Sequence, residues 1–143
     1  MAVKPIPDGY HTVTPYLIVE GAAQLIDFLK KAFAAEERER MNTPDGTIMH
    51  GEVKIGDSIV MMGDAGRGFA PMLGSIHLYV TDTDATYRRA LQAGATSVME
   101  PADQFYGDRS AGVKDPLGNI WWIATHKEDV SREEIARRAA AKK

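Results

Sequence analysis

The chain has 143 residues, a formal net charge of −3 and 44% hydrophobic residues, enough for one domain with a real core. It contains no cysteine, which excludes disulfides, thiolate metal sites and a cysteine nucleophile. Basic residues cluster only at the C-terminus, and no signal-type or membrane-length apolar run occurs, so a cytoplasmic protein without nucleic-acid or membrane partners is expected.

Residues 1–12 read as a proline-bearing extended arm. Thr12 to Glu20 reads as a strand. Gly21-Ala22-Ala23 opens a helix to Phe33, with Leu25, Ile26, Phe28, Leu29 and Phe33 spaced as one apolar face. Glu36 to Met41 is a second strand, and Asn42-Thr43-Pro44-Asp45-Gly46 is a turn. Thr47 to Ile55 and Ser58 to Met62 are strands joined at Gly56-Asp57. Gly63 to Gly74 connects the halves. Its Gly66-Arg67-Gly68-Phe69 is either a plain connection or a loop over a site.

The second half repeats the pattern. Ser75 to Thr81 is a strand, and Asp84 to Ala93 a helix packing through Ala85, Tyr87, Ala90 and Leu91. Gly94 suits its left-handed end. Thr96 to Glu100 is a strand, followed by a hairpin over Ser110–Lys114 and Ile120–Thr125 around the turn Asp115-Pro116-Leu117-Gly118-Asn119. Gly56-Asp-Ser-Ile-Val-Met61 matches Gly118-Asn-Ile-Trp-Trp-Ile123. A β-α-β-β-β unit thus recurs at roughly 60 residues, which reads as an internal duplication. Ser131-Arg-Glu-Glu134 is a capping box before a polar surface helix.

The duplicated unit and its Asp115-Pro116-x-Gly118-Asn119 turn resemble the vicinal oxygen chelate superfamily, which includes glyoxalase I, bleomycin-resistance proteins and extradiol dioxygenases. Pro15-Tyr16-Leu17, His50-Gly-Glu52, Val80-Thr-Asp82-Thr-Asp84-Ala85, Gly107-Asp108-Arg109 and Trp121 are similar to its PhnB-like branch. The resemblance implies an α+β fold. Two βαβββ modules, about 10–64 and 74–126, form one domain over 1–126 around a shared cleft. The resemblance also implies a homodimer, and residues 127–143 are expected to form a polar helix or tail.

In the metal-bearing relatives that the resemblance brings in, ligands come from the first and last strands of each module. Carried over by spacing, these positions fall on Thr14, Val60, Ser75 and Trp122. Valine and tryptophan offer no usable lone pair, and neutral hydroxyls bind weakly, so no cofactor is expected. The alternative is a displaced site for Zn, Fe or Mn at His50, Glu52 and His77, or the same three as acid and base. The plain reading makes His50 and Glu52 a polar rim and His77 a pocket histidine. Trp122, Arg109, Tyr106 and Phe105 are the candidate ligand-binding residues. Aromatics stack on planar ligands, and Arg109 either clamps an anion or ties its turn to a neighbouring strand. Of the tryptophans, Trp122 is expected in the cleft. The expected function is metal-free binding of a small aromatic or anionic molecule. A lyase, isomerase or dioxygenase with the displaced site is the alternative, and an interaction module acting through the C-terminal helix a third reading.

Overall fold

The computed structural model describes residues 3–142. Its elements run β1 (Tyr16–Val19), α1 (Ala22–Phe33), β2 (Glu36–Asn42), β3 (Ile48–Ile55), β4 (Ser58–Asp64), β5 (Ser75–Tyr79), α2 (Thr83–Gln92), β6 (Thr96–Asp103), β7 (Asp108–Lys114), β8 (Ile120–His126) and α3 (Arg132–Ala141). Each half makes one four-stranded mixed sheet, ordered β1-β4-β3-β2 and β5-β8-β7-β6. Only β1/β4 and β5/β8 run parallel. This is the α+β arrangement of two βαβββ modules.

Helix α1 buries Leu25, Ile26, Phe28, Leu29 and Phe33, the apolar face its spacing predicts. It has no side-chain cap of its own. Asp64 of β4 supplies one instead: its carboxylate accepts the N–H groups of Gly21 and Ala22 at 3.0 and 2.8 Å, and that of Ile48 at 2.7 Å. Burial works to raise the Asp64 carboxyl, but these three bonds outweigh it and hold it below its ordinary range.

Helix α2 buries Thr83, Thr86, Tyr87 and Ala90, while Ala85 and Leu91 are only half-buried. A count of apolar residues misses Thr83 because its hydroxyl is satisfied inside, donating to the carbonyl of Arg109 at 3.1 Å. Asp82 caps the helix by accepting from the Ala85 N–H at 3.1 Å.

The two helices pack on each other, and one apolar core runs from Leu17, Val53 and Met62 through both helices to Val113, Trp121 and Ile123. One face of each sheet is therefore covered by its helix, and the alternate residues form an open face. Here the repeat as aligned from the sequence slips by one. Val60 pairs with Val53 and is buried on the helix side, so Met61, opposite Tyr16, takes the open-face place. The reason lies in the hairpins. The first closes on Ile55↔Ser58, on the helix-covered face, and the second on Lys114↔Ile120, on the open one.

Strand β1 begins at Tyr16 rather than Thr12. The preceding run bends at Thr12, with the Thr14 hydroxyl 3.4 Å from the His11 carbonyl. Strand β6 runs on past Glu100 to Asp103, through Pro101 at a register shift on the sheet edge, where a missing N–H costs no ladder bond. Helix α3 buries no residue and is capped by Ser131, whose hydroxyl accepts the Glu134 N–H at 3.1 Å. No helix among the described residues is long and apolar enough to cross a membrane.

Candidate functional site

The open face of the first sheet carries a chain of four side chains. Glu52 is buried, and its carboxylate accepts the Tyr10 hydroxyl, delivered by the N-terminal arm, and His50 Nε2 at 2.7 Å. Tyr16 on β1 approaches the other ring nitrogen, with its hydroxyl 3.2 Å from His50 Nδ1. Burial acts to raise the Glu52 carboxyl, but the bonds from His50 and Tyr10 prevail and hold it below its usual range. The bond to Glu52 in turn pushes the Tyr10 phenol up, keeping it a neutral donor. An ionised Glu52 can only accept, so the hydrogen bond runs from Nε2–H of His50, and in that tautomer Nδ1 accepts from Tyr16.

Beyond Tyr16 lies a cavity of about 650 Å³, lined mainly by Tyr16, Ile18, Met49, Arg67, Phe69 and Met72. Its floor is opened by Gly63, where an added Cβ would fall 2.8 Å from the Met49 carbonyl and 3.3 Å from the Tyr16 hydroxyl. The loop after β4 forms the rim. Met72 pairs with Ile18, and Gly66 and Phe69 bond each other at 2.8 and 2.9 Å. This turn sets Arg67 in the left-handed region at φ +50°. Arg67 makes no ion pair among the described residues.

The open face of the second sheet is aromatic. His77 and Tyr79 of β5 lie with ring centroids 4.8 Å apart, and His77 is opposite Trp122 of β8. Trp122 is half-buried and donates from Nε1 to the Ser75 hydroxyl at 2.9 Å, whereas Trp121 is fully buried in the core. A second network stands at the edge. Buried Asp108 accepts the Tyr79 hydroxyl at 2.9 Å and bonds His126 Nδ1 at 2.8 Å, and His126 Nε2 bonds Asp129 at 2.7 Å. The imidazole of His126 is pushed up, first by Asp108 and then by Asp129.

The other predicted ligand-binding residues lie away from the cavity. Arg109 faces the helix side and forks onto Asp84 at 2.6 and 2.9 Å, with a further bond to Asp103 at 3.2 Å. Of its two anticipated roles, the geometry displays the tie. Phe105 and Tyr106 form an edge-to-face pair in the β6–β7 turn, ring centroids 5.3 Å apart, where Arg138 of α3 donates to the Phe105 carbonyl at 3.1 Å. The structure joins His50 to Glu52 but does not join His77 to them. Sequence reasoning missed Tyr16, Ile18, Met49 and Met72. Arg67 and Phe69 lie in the glycine-flanked stretch read as either a plain connection or a loop over a site, and neither was named there as a ligand-binding residue.

The residues at the superfamily's ligand positions do not fit a divalent metal. Thr14 lies before β1, Met61 stands where Val60 was expected, and Ser75 and Trp122 are bonded to each other. These groups offer a thioether and neutral hydroxyls, a poor set for Zn, Fe or Mn. Among the described residues no three His, Asp or Glu side chains are grouped to hold an ion.

Comparison with known proteins agrees with this architecture. Residues 10–123 match the family described as Glyoxalase/Bleomycin resistance protein/Dioxygenase superfamily. The Mycobacterium bovis protein Mb0911c is 41% identical over 134 residues, covering 86% of this chain and 88% of its own length. Among solved structures, TioX from Micromonospora sp. ML1 superimposes with a TM-score of 0.71 at 24% identity, over 81% of this chain and 98% of TioX. A glyoxalase/bleomycin resistance protein/dioxygenase family enzyme from Burkholderia phytofirmans PsJN gives a TM-score of 0.65 at 17% identity, over 79% and 96%. The chain belongs to the glyoxalase/bleomycin resistance protein/dioxygenase superfamily.

Proposed function

We propose that this chain, a member of the PhnB-like branch, binds a small anionic aromatic molecule in the cavity of the first sheet without a resident metal ion. The observation that carries the reading is the lining itself. Tyr16, Ile18, Met49, Phe69 and Met72 supply an apolar, adaptable wall, and Arg67 stands at the rim with no ion pair among the described residues, acting on the Asp45 carboxylate only at longer range. An apolar body with one carboxylate matches that combination, because a guanidinium recognises a carboxylate through two parallel hydrogen bonds.

A second copy of the chain completes the site in this reading. Tyr16 and Met49 on one open face, Phe69 and Met72 on its rim loop, and Tyr79 and Val98 on the other face are exposed, a burden that two sheets covering each other would relieve. A cytoplasmic homodimer is the form we expect.

Saturation-transfer NMR with 3-phenylpropionate tests the binding, and sedimentation of the full chain tests the dimer. Binding that is weakened in Arg67→Asn, with phenylpropanol binding less well, is the expected result. No saturation transfer to 3-phenylpropionate sinks the reading. One tightly held transition ion per chain, in protein purified without chelator, sinks its metal-free part.

A further inference from the structure

We propose that Tyr16 is the catalytic acid–base residue of a metal-free proton-transfer site, with His50 and Glu52 as positioning residues behind it. The substrate class is a carbon acid bearing a carbonyl next to the labile C–H and a carboxylate at one end. The inference rests on reading the cavity as a ligand site and adds a reaction to it.

The order of the hydrogen bonds carries the argument. Glu52 is buried and already accepts from Tyr10 and His50, so the His50 proton sits on Nε2 and Nδ1 presents its lone pair to Tyr16. The Tyr16 hydroxyl then donates inward, and its oxygen offers a second lone pair to the cavity that Tyr16 lines. Tyr16 is 44% exposed and its ring is tilted 44° against the imidazole, so the chain of bonds ends at an accessible atom. The missing side chain at Gly63 leaves room beside that hydroxyl, where an added Cβ would stand 3.3 Å from it. Arg67 on the rim receives the carboxylate. Tyr79 of the second network also lines a cavity, of about 830 Å³, but that wall mixes Asp57, Ser58, Thr86 and Arg89 with its apolar residues.

In the forward step the Tyr16 oxygen takes the proton from the substrate carbon while its own proton passes to His50 Nδ1. The C–H electron pair becomes the enolate, and Glu52 stabilises the imidazolium. The exposed Tyr16 hydroxyl then trades its proton with solvent, and returning a solvent proton to the same carbon gives exchange, whereas delivery to the enolate oxygen gives keto–enol isomerisation. No oxidant, reductant or second reactant enters.

The test follows loss of the C3 protons of phenylpyruvate in D₂O by NMR, with the full chain and EDTA present. We expect exchange on the order of a hundredfold above buffer. Tyr16→Phe should fall to the buffer rate while keeping the parent's circular dichroism spectrum and unfolding midpoint, and His50→Gln should lower kcat with KM unchanged. Exchange no faster than buffer despite 3-phenylpropionate binding overturns the proposal and leaves the binding reading standing. A Tyr16→Phe protein that keeps the full rate, or exchange that appears only when EDTA is omitted, also overturns it. Absence of 3-phenylpropionate binding removes the binding reading and this one together.

Discussion

Phe33, the last residue of α1, packs its ring on Trp121 of β8, with centroids 5.3 Å apart and planes inclined by 51°. The contact joins the two modules through side chains that are both buried. The modules therefore have no independent cores, and the chain should unfold as one unit. Trp121→Ala removes the largest fully buried side chain and should cost about 3–5 kcal/mol. Urea unfolding followed by circular dichroism should show one transition, shifted to lower denaturant in that variant. Trp122→Phe, on the open face, should move it far less. Two separate transitions in the parent protein would refute the shared core.

Trp121 is also held by its nitrogen. Its Nε1 donates to Asp115 at 2.8 Å, and the same buried carboxylate accepts from the Leu117 and Asn119 N–H groups at 2.8 and 3.0 Å and from Asn119 Nδ2 at 2.9 Å. Asp115→Ala would strand several of these donors inside the protein. Each buried donor left unpaired costs about 1–3 kcal/mol, so a loss on the order of 3 kcal/mol is expected, with the turn around Pro116 reorganised. Thermal unfolding measures it, and a change no larger than at a surface aspartate such as Asp57 would show that the hub does not hold the turn.

Much of this fold was legible because local signals agreed with the tertiary outcome. The spacing of Leu25, Ile26, Phe28 and Leu29 marked α1, and the Asp115–Asn119 turn marked the last hairpin. What escaped depended on which face a hairpin closes upon. The glycines at 56 and 118 align well, yet Val60 and Trp122 point to opposite sides because strand alternation counts from the closing pair. The site was harder still. His50 and Glu52 were visible as neighbours two apart on a strand, but Tyr10 and Tyr16 reach them only through long-range packing. Arg109 stood in a promising aromatic stretch, and nothing local told that Asp84 of α2 would claim it.

The two arginines separate cleanly by experiment. Arg109→Lys loses the fork onto Asp84 but keeps the charge, and the pair is solvent-screened, so the unfolding midpoint should shift only slightly. Affinity for 3-phenylpropionate should be unchanged. Arg67→Asn removes the rim charge while asparagine tolerates the left-handed backbone. It should weaken 3-phenylpropionate roughly tenfold, about 1.4 kcal/mol, without lowering the unfolding midpoint. Calorimetric titration of both variants decides between them, and the reverse pattern would move the anion site to Arg109.

The Asp108–His126–Asp129 network gives stability a pH dependence of definite sign. Its hydrogen bonds to Asp108 and then Asp129 raise the His126 imidazole above its ordinary value. A raised folded-state value means that the folded protein holds this proton more tightly than the unfolded chain. The stabilisation is then fully present below the unfolded value of about 6.5 and is lost as pH rises through the higher folded value. Tyr79, the other titrating neighbour of Asp108, is itself pushed upward by its bond to that carboxylate, so it stays neutral throughout this range. Thermal midpoints collected from slightly acidic to mildly alkaline pH should fall in the parent protein. In His126→Gln that decline should be reduced, because glutamine keeps a donor for Asp108 but carries no titrating charge. Parallel declines in the two proteins would show that His126 does not carry the linkage.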